Sequence, residues 1–169
     1  QAYVRVNHFS ATSASEPYRL YAVVQPGSPG PVSEIEPNNT IGTASGGQRT
    51  YFTGTLTAAD AGVASSDVDV FSVPATVGDL LFVALDGDPL RNGSPANLRL
   101  ELLDPSGAVL VDVDDSTSSS STASGAGSLT ANAPNSPAEG LVFRARTTAL
   151  HFVRVRGGSS ATLGNADYL

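Results

Sequence analysis

Oxygen-bearing side chains are concentrated at residues 34–39 of this chain, where their spacing suits cation binding. Glu34 and Glu36 lie two residues apart, so on an extended segment both carboxylates point the same way. Pro37 stiffens the backbone directly after them, and Asn38 and Asn39 add amide oxygens. Oxygen ligands of these types are the ones that Ca²⁺ prefers, and the ion takes about 6–8 of them. The segment is therefore one half of a candidate calcium site.

A second acidic pair supplies the other half. Asp67 and Asp69 fall on one face of a strand predicted over residues 65–74. If residues 34–39 pack beside this strand, four carboxylates converge, and they repel one another strongly unless a cation neutralises them. The predicted calcium ligands are Glu34, Glu36, Asn38, Asn39, Asp67 and Asp69. The alternative is a solvated acidic linker in which Glu36 and Pro37 form a plain turn.

Two other acidic groups fit simpler roles. Asp112, Asp114 and Asp115 precede a Ser-rich stretch and are expected to form the solvated end of an edge strand. Asp86-Gly87-Asp88-Pro89 is expected to be a turn. Neither group has the spacing of an EF-hand loop, which needs further acidic positions and a distal glutamate.

The residue types also argue against catalysis. The chain has no cysteine, which excludes disulfides, zinc-thiolate sites and thiol catalysis. Its only histidines are His8 and His151, and it contains no Gly-x-Ser-x-Gly, His-Glu-x-x-His or phosphate-binding glycine motif. His151 begins a predicted strand and is expected at its rim. We therefore expect no enzymatic activity.

The charge balance narrows the range of partners. The formal net charge is −7 and every basic residue is an arginine. Nucleic-acid binding needs clustered positive charge, so we expect no such partner. No run of 18 apolar residues is present, so no membrane span is predicted.

Four arginines leave two interpretations open. Arg144 and Arg146 share one strand face, and Arg154 and Arg156 share another. Either they form ion pairs with carboxylates such as Glu101, or, if the two strands are neighbours, they form a basic stripe. Such a stripe would suit an acidic polysaccharide or a neighbouring acidic repeat.

The elements that must position these residues are strands. Seventeen glycines and 11 prolines interrupt the chain at short intervals, and helical periodicity is nearly absent. Strands are predicted over residues 50–56, 65–74, 79–85, 98–103, 108–111, 141–146, 150–156 and 166–169. The pattern predicts an all-β fold, an antiparallel, jelly-roll-like β-sandwich of about eight strands with an additional N-terminal strand pair.

Two strands carry specific expectations. In residues 98–103 the leucines are expected to face the core, while Arg99 and Glu101 face water. Residues 79–85 are apolar on both faces, which predicts a central, well-covered strand. Asp104-Pro105-Ser106-Gly107 is predicted to be a β-turn. Residues 116–128 contain only Ser, Thr, Ala and Gly, and are predicted to be a mobile loop.

The first residues of the chain are similar in sequence to residues near its end. Tyr3-Val4-Arg5-Val6 resembles Phe152-Val153-Arg154-Val155, and aligning Tyr18 with Tyr168 gives an offset of about 150 residues, one domain length. We predict that residues 1–25 are the terminal strands of a preceding repeat, 2–6 and 17–24. Residues 26–33 are then a Pro/Gly linker, and residues 34–169 a complete domain. We expect the N-terminal pair to pack on its own domain, to pair with another chain, or to belong to a fold whose domain boundaries lie elsewhere.

Five motifs occur in order along residues 34–169. They are Glu36-Pro37-Asn38-Asn39-Thr40, Asp67-Val68-Asp69-Val70-Phe71, Val77-Gly78-Asp79-Leu80, the segment from Asn97 to Gly107, and the pair Phe152-Val153-Arg154-Val155 and Asp167-Tyr168-Leu169. Together they resemble the bacterial pre-peptidase C-terminal domain family, a calcium-associated β-sandwich module of secreted proteases and other exported proteins. Asn39 stands where the family usually has Asp, which weakens one metal ligand.

The resemblance and the repeat together suggest a role. We expect a non-catalytic, calcium-binding module, secreted or at the cell surface, that acts as a structural or adhesive unit of a tandem array. Its partners would be neighbouring repeats or copies of itself, and calcium would stiffen the junction between them. The alternative is an accessory domain of a secreted hydrolase that binds polysaccharide or collagen.

Overall fold

Glycine and proline divide the described part of the chain into short strands. The computed structural model describes Tyr3, Leu20 and residues 27–46, 50–57, 67–90, 96–114, 138–158 and 166–168. The strands are β1 (Val32–Ser33), β2 (Phe52–Leu56), β3 (Val68–Ala75), β4 (Leu80–Asp86), β5 (Leu98–Leu103), β6 (Val109–Val113), β7 (Ala138–Arg144), β8 (Ala149–Gly157) and β9 (Ala166–Tyr168). In these residues we find no helix with the length and apolar character that a membrane crossing requires.

The strands form three sheets. The largest has the order β3-β8-β5-β6 and is antiparallel throughout. A second has the order β1-β2-β9, with β1 parallel and β9 antiparallel to β2, and β4 pairs with β7 as a two-stranded antiparallel ribbon. The predicted all-β fold is confirmed, and the sheets are consistent with a β-sandwich.

Alternation along β5 builds the centre of the core. Leu98, Leu100 and Leu102 are all buried, as predicted, and they pack with inward residues of β8 such as Val153. The expectation that Glu101 faces water is wrong, because its side chain is only 2% exposed. Three arginine side chains lie around it on the other face of the sheet.

The prediction for residues 79–85 is also wrong. In the described part of the chain β4 pairs only with β7. Leu81 and Val83 pack against the core, whereas Phe82 is 48% exposed and Ala84 is exposed. A continuous apolar run indicates a strand without fixing how many neighbours cover it.

The connections agree with the sequence where they are described. The turn after β5 is closed by Asp104, whose carboxylate accepts hydrogen bonds from the amides of Ser106 and Ala108 at 2.8 and 2.9 Å. Gly107 supplies the positive φ of 87° that this turn requires. The last two residues of the predicted linker form β1, at the edge of its sheet.

Several predictions concern residues outside the described ones. They are the strands over 2–6 and 17–24, the loop over 116–128, and the positions of His8 and Asp115. The division into a repeat remnant, a linker and a domain stays a prediction.

Candidate metal centre

Residues 34–45, which we call the strap, cross from β2 to β3. The Glu34 amide donates to the carbonyl of Thr53 at 3.0 Å, so the strap begins alongside β2. The Val70 amide then donates to the Asn38 carbonyl at 3.1 Å, and the Ser45 amide donates to the Val70 carbonyl at 2.8 Å. These hydrogen bonds hold the first residues of the strap, which include Glu34 and Glu36, beside Asp69 at the start of β3.

Three of the predicted ligands meet where the strap crosses β3. One carboxylate oxygen from each of Glu34, Glu36 and Asp69 lies within 4.8 Å of the others. Asp69 is fully buried, and the two glutamates are half-buried. We call this group the acidic cluster.

The Glu34 carboxylate is held by groups from β2 and β9. Its Oε1 accepts a hydrogen bond from the Thr55 amide at 2.6 Å, and its Oε2 accepts one from the Tyr168 hydroxyl at 2.8 Å. Gly54 makes room for this arrangement, because a Cβ at that position would overlap the Tyr168 hydroxyl and lie 2.5 Å from Glu34 Oε2. The site therefore depends on a residue without a side chain.

The Tyr168 hydroxyl also contacts Asp69, which points to a shared proton. It lies 2.6 Å from Asp69 Oδ2 while also lying 2.8 Å from Glu34 Oε2. One hydroxyl proton cannot be donated to both carboxylates at once. A proton on Asp69 resolves this, since Asp69 can then donate to the tyrosine oxygen.

Electrostatics favour the same proton. Burial raises the pKa of Asp69 to about 9, and the negative charges of Glu34 and Asp67 act in the same direction, while the hydrogen bond that Tyr168 can donate to the ionised carboxylate opposes them. Burial, followed by the charges of Asp69 and Glu34, also raises the pKa of the Tyr168 hydroxyl, so it stays protonated. Without a cation, the acidic cluster therefore holds an additional proton at neutral pH.

Asn38 completes the wall of the acidic cluster. Its side chain is fully buried, and with its nitrogen toward the carboxylates it donates to Glu36 Oε1 at 3.1 Å and Asp69 Oδ1 at 3.0 Å. Its backbone amide donates to Glu36 Oε2 at 3.0 Å. If the amide turns over, its oxygen faces the same two carboxylates, as a ligand of a shared cation would.

The remaining predicted ligands differ from this group. The Asp67 carboxylate accepts hydrogen bonds from the amides of Thr57 and Val68 at 2.6 and 2.9 Å, so it connects the end of β2 to the start of β3. Asp67 is not one of the three converging carboxylates. Asn39 Oδ1 is buried and has no hydrogen-bond partner among the described residues. It stays a candidate ligand.

The donor set fits a hard divalent cation. The carboxylates of the acidic cluster and the side-chain oxygen of Asn38, once its amide turns over, are ligands that Ca²⁺ and Mg²⁺ prefer over nitrogen or sulfur. A bound cation would supply the positive charge that balances the buried carboxylates. Glu34, Glu36, Asp69 and Asn38 are the residues that would hold it.

Two functional residues were missed at the sequence level. Tyr168 lies 134 positions from Glu34 along the chain, and no local spacing connects them. Gly54 did carry a signal, because an isolated glycine in a strand often marks the close approach of another group. The pattern does not say which group approaches.

A second charged network lies on the face of β5 and β8 away from the main core. Glu101 accepts hydrogen bonds from Arg154 Nε at 2.5 Å and from Arg156 Nη2 at 2.9 Å. Burial alone would raise the pKa of Glu101, but these hydrogen bonds and charges outweigh it and hold the pKa below its usual range. Arg99 pairs with Asp112 through two hydrogen bonds, which lowers the pKa of Asp112.

This network decides between the two interpretations of the arginines. Arg154 and Arg156 form ion pairs with Glu101, as the first interpretation had it. The basic stripe is excluded, because β7, which carries Arg144, and β8 belong to different sheets. The Arg144 guanidinium donates to the Gly78 carbonyl at 2.8 Å.

His151 and the turn at Asp86-Gly87-Asp88 are the other candidate residues that the structure describes. His151 is buried, with 2% of its surface exposed, so the prediction of a rim position is wrong. Its ring lies 6.3 Å from that of Phe143. Its side chain lies on the same face of β8 as Val153 and on the opposite face from Phe152 and Arg154. At the predicted turn after β4, the Asp88 amide donates to the Asp86 carboxylate at 3.0 Å.

No protein-family model matches this chain, and no curated protein matches it in sequence. The resemblance to the pre-peptidase C-terminal family stays a prediction.

Proposed function

We propose that this domain is a calcium-binding, non-catalytic structural module of an exported protein. The observation that carries the proposal is the convergence of Glu34, Glu36 and Asp69, two of which, Glu34 and Asp69, also contact the buried hydroxyl of Tyr168. Buried carboxylates this close are costly unless protons or a cation balance their charge. The acidic surroundings and the all-oxygen donor set favour Ca²⁺.

The residues of the acidic cluster belong to different parts of the fold. Glu34 and Glu36 come from the strap, Asp69 from β3, and the Tyr168 hydroxyl from β9. A cation that all three carboxylates bind would fix the strap to β3. The hydrogen bond from the Tyr168 hydroxyl to Glu34 connects β9 to the same group. The predicted repeat places the acidic cluster just after the junction between two domains, which supports a role in stiffening a tandem array outside the cell.

Calcium should raise the thermal stability of the protein. At a free Ca²⁺ concentration 100 times the Kd, binding to the native state adds about 2.7 kcal/mol to the free energy of unfolding. For a chain of this size that corresponds to about 5–10 °C in Tm, measured by calorimetry in Ca²⁺ against EDTA at low ionic strength. An unchanged melting curve contradicts the proposal.

The variant Asp69→Asn separates binding from folding. It keeps the shape of the side chain but removes a buried ionisable group, so the protein in EDTA should be no less stable than the wild type. The calcium response should disappear. Asp112→Asn is the matched control, because it removes a carboxylate outside the cluster and should leave the calcium response intact.

Calcium binding should also release a proton. Because Asp69 holds a proton in the metal-free cluster and ligands must be deprotonated, the affinity should increase as the pH rises from about 6 to 9. Isothermal titration in two buffers of different ionisation enthalpy measures the proton count. Equal heats in both buffers would contradict a shared proton.

A further inference from the structure

An apolar cavity lies between the two smaller sheets, both of which pack in one core with the four-stranded sheet. It has a volume of about 420 Å³. Its floor is the inner face of the four-stranded sheet, including Phe71 and Val153, and one wall is formed by Phe52 and Tyr168 of the β1-β2-β9 sheet. The opposite wall is β4.

Among the described residues, the cavity lies where a further strand beside β4 would fit. Consecutive residues from Leu80 to Leu85, which alternate between the two faces of β4, all line it, whereas no described residue of β7 does. It therefore runs along the edge of β4 that faces away from β7. In the described part of the chain, this edge and the outer edge of β9 pair with no strand. We call the cavity and the β4 edge the slot.

We propose that the slot binds residues 17–24 of a second copy of this chain as an added β-strand. The segment reads Pro17-Tyr18-Arg19-Leu20-Tyr21-Ala22-Val23-Val24, in which every second residue from Tyr18 is apolar or aromatic. An added strand would place these side chains over the apolar floor, while its peptide groups pair with the edge of β4. The proposal does not depend on cation binding.

The exposure of the N-terminal residues favours a second copy over the chain's own slot. Leu20 is 56% exposed and Tyr3 is 82% exposed, so neither side chain is buried by its own domain. The sequence thus contains an apolar, alternating segment, and among the described residues no strand fills the apolar slot. If the segment of one copy binds the slot of the next, the contact is head-to-tail. Repeated contacts of this kind build a filament unless they close into a ring.

A strand suits the slot better than an apolar small molecule does. The volume alone lies in the range of small-molecule sites. However, an acyl chain would cover the β4 edge without satisfying its peptide N–H and C=O groups, and burying such groups unpaired is costly. A peptide strand satisfies them.

Cysteine cross-linking tests the pairing directly, because the chain has no native cysteine. Tyr21→Cys protein is mixed with Ala84→Cys protein under mild oxidation. Ala84 is exposed on the outer face of β4, and Tyr21 alternates with the inward Leu20 and Ala22 in the proposed strand, so the pairing would place both cysteines on one face. We expect about tenfold more mixed disulfide than in the control mixture of Tyr21→Cys with Leu110→Cys, measured by mass spectrometry. Leu110 is also exposed but lies on β6, outside the slot.

The remaining outcomes overturn the proposal. A chain carrying both Tyr21→Cys and Ala84→Cys that closes its disulfide only within monomers would show that the segment occupies its own slot. Mixed disulfide at the control level with Ala84→Cys, and also with Phe82→Cys on the same exposed face, would show that the slot takes no N-terminal strand. Saturable binding of a fluorescent fatty acid that Ala84→Trp blocks, without either mixed disulfide, would assign the slot to apolar small molecules.

Discussion

Gly54→Ala is expected to abolish calcium-dependent stabilisation and to weaken the fold. The new methyl group would overlap the Tyr168 hydroxyl and crowd Glu34 Oε2, so Glu34 and Tyr168 cannot both keep their positions. Overpacking of a well-packed site costs about 1–3 kcal/mol. The measurements are Tm in EDTA, which should fall, and the Tm difference between Ca²⁺ and EDTA, which should vanish.

Gly42→Ala is the matched control. Gly42 lies in the strap, but the nearest atom to an added Cβ is Thr40 Oγ1 at 3.8 Å, an ordinary contact. This variant should respond to calcium like the wild type. If Gly54→Ala also retained the full response, the cation would have to bind without the observed position of Glu34.

Glu101→Gln is expected to lower the free energy of unfolding by about 2 kcal/mol. The glutamine keeps the size of the side chain but leaves Arg154 and Arg156 without their charged partner. The corresponding loss in Tm is about 4–8 °C. Asp112→Asn is the control, because the Asp112–Arg99 pair is exposed and such pairs contribute less than about 1 kcal/mol.

The effect of Glu101→Gln should depend on pH. The native-state pKa of Glu101 lies below its ordinary value of 4.5, so its stabilisation is fully present above that pH and is lost as the pH falls through the native pKa. Urea unfolding in EDTA should therefore show the variant and the wild type converging below about pH 4.5. A constant difference down to pH 2 would contradict the ion-pair explanation.

The sequence predicted the fold well where a strand has one covered face. The leucines of β5 follow a period of two and are buried, which placed the centre of the core. The same rule failed at Glu101. It assigns polar residues to water, and it contains no information on the neighbouring strand, which here carries the arginines that pair with Glu101. It failed at β4 because the number of neighbouring strands is a tertiary property.

The acidic cluster was only partly predictable for a related reason. Glu34 and Glu36 are two residues apart, and Asp69 lies on a strand, so local geometry placed these side chains on shared faces. Their convergence depended on the two segments packing together, which local geometry does not specify. Asp67 has the same spacing from Asp69 but is engaged by the amides of Thr57 and Val68. Tyr168 enters the site through the pairing of β9 with β2, which no local pattern specifies.

The register of β1, β2 and β9 determines where a pulling force meets the domain. Val32 begins β1 opposite Phe52, and Tyr168 ends β9 opposite Gly54, so the chain arrives and departs at the same end of β2. If the chain belongs to the proposed tandem array, tension between consecutive domains would peel these strands apart one hydrogen bond at a time instead of shearing them together. The bond from Tyr168 to Glu34 lies at that end, with Asp69 behind it. The acidic cluster therefore holds the strap, β3 and β9 together at the point where mechanical unfolding would begin.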